Sequence, residues 1–235
     1  MTDPATAVLA ATLAAAAMLV GGRPVLAALP EPAPGDQGPG GKVPYVALGT
    51  RTFVLICAAM SGVAVGLSWL LVPAAARPLW TVLGTVGILL AAVDARTTWL
   101  PLPLTHAAWV LMGAAGLLAG GVAGVGDGPG DAMRTLLGAA LGAAVAGGLY
   151  LVVWLVTRGG FGFGDVRFAP LVGAATAVPT FTMLLWALFL GSLVGGVVGL
   201  VRLAQRRSGP FPYAPAMIAG AYLALLVGPV LGFSG

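Results

Sequence analysis

The chain has 235 residues, 59% of them hydrophobic and 8% charged, with a mean hydropathy of +1.02 and a net charge of +4. Soluble domains carry roughly 25% charged residues, and no soluble core of this length encloses so many apolar side chains. The bilayer must solvate most of them, so the composition predicts an all-α polytopic membrane protein, with 1–235 as one integral membrane domain. The net charge therefore bears on orientation in the bilayer rather than on nucleic acid, and no nucleic-acid partner is expected.

In chain order, apolar runs of spanning length occupy 5–22, 52–73, 78–94, 103–125, 133–157, 180–201 and 213–234. The first has no basic residue before it and only Asp3 as an early charge, so it reads as a retained span rather than a signal peptide. Residues 30–50, "PEPAPGDQGPGGKVPYVALGT", are rich in proline and glycine and read as a loop, not a packed domain. Cys57 lies in the second run and reads as a small packing residue. As the sole cysteine it excludes an intramolecular disulfide and a cysteine-rich zinc site, and a single histidine, His106, excludes a multi-histidine metal site. No metal and no cofactor is expected. Glycine pairs at helical spacing, Gly116/Gly120, Gly138/Gly142 and Gly191/Gly195, predict close helix approach.

The run 165–178 is short and ends before Pro179, so it is either a separate span or the start of one long helix with 180–201. Charge bears on the choice, and seven spans remain the reading if 165–178 does not cross independently. With eight spans, nine Lys and Arg fall on one side (Arg23, Lys42, Arg51, Arg96, Arg158, Arg167, Arg202, Arg206 and Arg207), against Arg77 and Arg134 on the other. With seven, the split is six against five. The positive-inside rule favours eight, and places the connections near 23–51, 94–103, 158–165 and 202–212 in the cytoplasm.

Ionisable groups at membrane depth are costly, and each is a functional candidate. Asp3, Glu31 and Asp36 lie in polar ends or loops, and Asp127 and Asp131 lie in the external loop 126–132. That leaves Asp94, at the end of "WTVLGTVGILLAAVD", and Asp165, both at cytoplasmic ends of apolar segments. Two carboxylates at one depth can share a proton, activate water and protonate a leaving amine, which is aspartic-protease chemistry. A lone aspartate near a helix end also serves as an interfacial residue or an N-cap, and the same two acids would suit an ion-coupled transporter. A non-catalytic assembly protein of a pilus or secretion system is a third reading.

Local sequence adds detail. Gly162 and Gly164 stand three and one positions before Asp165, where glycine permits unusual backbone angles and the close approach of an extended chain. Pro101 and Pro103 stop the helix beyond Asp94 and define a turn. Arg96 and Arg167 each follow an acid by two positions, a spacing that turns them away from it on a helix. They read either as anchors to lipid headgroups or, for Arg167, as a group that orients a carboxylate or the substrate from across the site.

Three stretches then resemble one family. "GFGDVRFAPLVG" resembles the GxGD motif of the type IV prepilin peptidases, with Arg167 where lysine is commoner. "DARTTWLPLPLT" is similar to the family's first-aspartate motif, in which Asp94, Pro101, Leu104 and Thr105 keep the register and Leu102 replaces an Asp or Asn. "PYAPAMIAG", at 212–220, resembles the Pro-Phe-Gly-Pro motif before the last helix, with Ala214 in place of glycine. The motifs span about 94–220, and nothing before residue 50 carries one. A second GxGD, Gly124 to Asp127, is followed by Gly128 and Pro129, has no basic residue at plus two, and falls on the opposite side.

The resemblance implies a membrane aspartic endopeptidase of the bacterial inner (plasma) membrane, with Asp94 and Asp165 as the catalytic pair near the cytoplasmic face. Gly162, Gly164, Arg167 and Pro101 become motif and substrate-approach residues. Its implied partners are pilin-like precursors with a short basic leader and a hydrophobic helix, met within the lipid bilayer. Bifunctional members carry a cysteine-bearing insert before the second span, linked to N-methylation; this chain has none, so the expectation is cleavage without methylation.

Overall fold

A computed structural model describes residues 3–31, 43–158, 162–206 and 211–232. Asp36, Lys42 and Arg207 lie outside the described residues. Among these, every regular element is helical. The helices are α1 (Pro4–Ala28), a single turn α2 (Tyr45–Leu48), α3 (Arg51–Leu71), α4 (Ala74–Thr97), α5 (Leu102–Asp127), α6 (Pro129–Val156), α7 (Phe163–Ala177), α8 (Phe181–Ala204) and α9 (Ala214–Leu231). Six of them, α1, α3, α4, α5, α6 and α8, are long and apolar enough to cross a membrane.

Local chemistry sets the boundaries. The Asp3 carboxylate accepts from Ala5 N–H at 3.1 Å and Pro4 opens α1, while Thr50 and Thr180 cap α3 and α8 through Phe53 N–H (3.2 Å) and Met183 N–H (3.1 Å). α5 and α6 form a hairpin closed by Gly128 at φ 102°, a conformation that favours glycine. Between α7 and α8 the chain breaks at 178–180, where Thr180 starts a new helix, so 165–201 is not one continuous helix.

α7 runs back along α6: Phe163 stacks near Trp154 at one end, and Gly173 lies against Gly142 further along. A Cβ on either glycine would overlap the other's carbonyl, so this pair permits the approach that the glycine spacing predicts. Gly195 of α8 leaves room for the Tyr213 ring in the same way. Gly116 has no neighbour within 4 Å of a built Cβ and plays no such part.

The sequence predicts about eight transmembrane helices; the described residues hold the six long apolar helices, the shorter apolar α9 and the fifteen-residue α7. α7 has fifteen residues, eleven of them buried, and is enclosed by α4, α5, α6, α8 and α9. A helix surrounded by protein has no need to reach both headgroup layers, because its neighbours rather than lipid receive its ends. Described residues beside four helix ends, Glu31, Trp99, Gly162 and Tyr213 among them, line one cavity at one end of the bundle, the end that also carries Arg23, Arg51, Arg96, Arg158, Arg167, Arg202 and Arg206. Arg77 and Arg134 lie toward the other end.

The core centres on α4 and α7. α4 is the most enclosed of the six long helices, and Leu79, Trp80, Leu83, Leu90 and Phe168 are fully buried. The two acids singled out by sequence are thus carried by the helices furthest from lipid.

Candidate active site

Asp94 lies one turn before the end of α4 and is 3% exposed. The helix stops because Thr98 adopts the left-handed conformation, φ 57°, with its N–H donating to the Asp94 carbonyl at 2.7 Å. Thr97 Oγ1 accepts from Trp99 N–H at 3.2 Å, fixing the turn. Pro101, buried, precedes α5, and its carbonyl accepts from the Thr105 amide and hydroxyl at 3.0 and 3.1 Å. The stretch "DARTTWLPLPLT" therefore forms the helix end, tight turn and new helix that its prolines predict.

The Asp94 carboxylate does not stand alone. Its Oδ2 accepts from Ala214 N–H at 3.1 Å, and Tyr213 N–H also bonds it. These are the orphan amides at the start of α9, where a helix favours negative charge. "PYAP" is thus a cradle for the first aspartate, a role its spacing 120 residues downstream gives no means of reading.

Asp165 is the third residue of α7 and is 5% exposed. Gly162 caps the helix at φ −66° and ψ 129°, angles open to any residue, and Gly164 is helical. Conformational freedom is therefore not what either position uses. Space is: a Cβ at Gly162 would sit 3.0 Å from Asp165 Oδ2, and one at Gly164 would sit 3.2 Å from Leu100. One glycine leaves room for the acid, and the other lets α7 dock on the turn that follows Asp94.

Asp94 and Asp165 line one cavity of about 1340 Å³ and lie within electrostatic reach of each other. Arg167 lines it too, half-buried, with its guanidinium 4.7 Å from the centre of the Phe163 ring and its carbonyl accepting from Trp109 Nε1–H at 2.9 Å. No ion pair joins it to either aspartate, whereas Arg134 and Asp131 pair at 3.0 Å. Asp127, in the second GxGD, is exposed at the opposite end of the bundle. No group of three or more His, Cys, Asp or Glu suited to a metal occurs among the described residues.

Sequence reading missed Tyr150, Tyr213 and Ser192. Tyr150 of α6 interacts with Tyr213, Ser192 and Asp165, and its ring lies 5.8 Å from that of Tyr213. The two tyrosines thus link the amides that hold Asp94 to the neighbourhood of Asp165. Tyr213 sits within a recognisable motif, but Tyr150 is a lone aromatic in an apolar helix and gives no signal. Pro30, Glu31 and Tyr45 were missed as well. They form part of the cavity wall, and Glu31 Oε1 accepts from Tyr45 and Val46 N–H. Burial, and then the Glu31 charge, push the Tyr45 hydroxyl up to about 12.

The model of the type IV leader peptidase family matches residues 81–200, more than half of the chain. The chain belongs to that family. The match includes Asp94, Pro101, Gly162, Gly164, Asp165 and Arg167, and excludes both "PYAP" and the Glu31–Tyr45 wall. A prepilin leader peptidase/N-methyltransferase of Bacillus subtilis (strain 168) is 39% identical over 89 residues, which cover 35% of this chain and 34% of that protein. The chain thus matches about a third of that relative's length. No solved structure matches.

Proposed function

We propose that the protein is a membrane aspartic endopeptidase that removes the basic leader from pilin-like precursors at the cytoplasmic face of a bacterial inner membrane. The observation that carries this reading is the meeting of two buried aspartates, from the end of α4 and the start of α7, on one cavity. Family membership supplies the substrate class. The seven described arginines at that end of the bundle support the cytoplasmic orientation. Cys57 is the sole cysteine and is buried in α3, so the reading covers leader cleavage and not methylation.

In the proposed step the pair holds one proton between two carboxyls. The ionised aspartate takes a proton from water, and the oxygen of that water bonds the scissile carbonyl carbon. The protonated aspartate donates to the carbonyl oxygen, giving a neutral gem-diol. Collapse breaks the C–N bond: the proton taken from water passes to the leaving nitrogen, and a diol proton returns to the other aspartate, restoring the pair. The amides of Ala214 and Tyr213 hold Asp94 in place throughout.

Co-expression with a pilin-like precursor tests the reading. Asp94→Ala and Asp165→Ala should leave the precursor uncut, and Asp127→Ala should process it normally. Normal processing by either of the first two would remove the basis of the proposal.

A further inference from the structure

The charged lining of the catalytic cavity is unbalanced. Among the described residues, Asp94, Asp165 and Glu31 line it, against Arg167 as the basic residue. The other described basic residues at that end of the bundle, Arg23, Arg51, Arg96, Arg158, Arg202 and Arg206, are not part of the lining. The outer surface there is basic, and the interior of the cavity is acidic.

Glu31 comes from a part of the chain that the family match does not cover, yet it is held firmly. Its Oε1 receives two backbone amides from α2. α2 is seated by Tyr45 and Leu48, 2% and 7% exposed. The segment after it is tied to α1 by Arg23 Nε–H donating to the Gly49 carbonyl at 2.7 Å. These contacts hold Glu31 through one carboxylate oxygen, Oε1, at the wall of the cavity.

On the peptidase reading above, we infer that Glu31 is a specificity-determining residue whose carboxylate receives a cationic side chain of the substrate. Asp94 and Asp165 are committed to the scissile bond, so among the described residues the acid of the cavity left to meet a substrate cation is Glu31. An acid inside a basic rim favours a substrate whose cation lies a short distance from the cleaved bond, and disfavours one without it. The solvent around Glu31 limits the size of the effect, because pairs open to water contribute modestly.

The test uses the purified full chain in lipid nanodiscs and two synthetic precursors. One has a leader with two lysines, a glycine at the cleavage point and an apolar helix; its twin has both lysines replaced by glutamine. The readout is the ratio of kcat/KM on the two. The native protein should prefer the lysine precursor about five-fold, a preference that added salt should weaken. Glu31→Gln keeps an oxygen to accept from Tyr45 and Val46 but loses the charge, and its ratio should fall to near one. Glu31→Asp should retain part of the preference. A native ratio of one, or an undiminished ratio in Glu31→Gln, would overturn the inference and leave the peptidase reading standing. Failure to cut either precursor, or cleavage by Asp165→Asn at the native rate, would overturn the peptidase reading and this inference with it.

Discussion

Replacing Gly162 by alanine should separate activity from stability. Its backbone, at φ −66° and ψ 129°, accepts alanine without strain, and the unfolded chain loses freedom, so folding should be unchanged or gain up to about 1 kcal/mol. The new Cβ, however, would lie 3.0 Å from Asp165 Oδ2, a few tenths of an ångström inside ordinary contact. The carboxylate is the movable partner, and it would have to shift from its place beside the cavity. A misplacement of about 1 Å at reacting groups costs about 100-fold in rate, and the smaller shift here predicts about a ten-fold loss in kcat, or about 1.4 kcal/mol of barrier. Valine should cost more. Cleavage of a leader-bearing precursor by the purified protein gives kcat, and thermal unfolding in the same detergent gives stability. Native activity in Gly162→Ala would refute the reasoning, and so would a parallel loss of activity and melting temperature.

Gly142→Ala forces a Cβ into the Gly173 backbone of α7; overpacking should cost about 1–3 kcal/mol, seen as a lower melting temperature. Gly128→Ala, at φ 102° with open space around it, should cost about 1 kcal/mol through strain alone, with kcat unchanged because the hairpin lies far from the cavity. Arg167→Lys keeps a cation over Phe163 and should hold kcat/KM within about two-fold, whereas Arg167→Gln loses that contact and should be less stable by about 0.5–1 kcal/mol.

The spans were legible because the bilayer imposes length and polarity on them, and the break between α7 and α8 was legible from the charge count. The ends were less so: 78–94 extends to Ala74–Thr97 because Thr98, not Asp94, turns the backbone over. Asp94 and Asp165 stood out because acids are rare in this chain. Gly162 and Gly164 were visible as special for a reason the structure replaces, namely space against Asp165 and Leu100 rather than unusual angles. The amides of Tyr213 and Ala214 were beyond reach, since backbone donors leave no trace in side-chain identity. Glu31 reads as a loop acid until α1 and α2 bring it to the cavity wall. The interaction of Tyr150 with Asp165 likewise arises from helix packing alone.

The central claim is that Asp94 and Asp165 act as one catalytic unit. Its most direct test is a double-mutant cycle with Asp94→Asn, Asp165→Asn and the double variant, each assayed for cleavage at equal folded concentration. Residues that act together are strongly non-additive, so each single change should lower kcat by about 1,000-fold or more, and the double variant should be no slower than the worse single one. Native cleavage by either single variant, or losses that multiply in the double, would contradict the account.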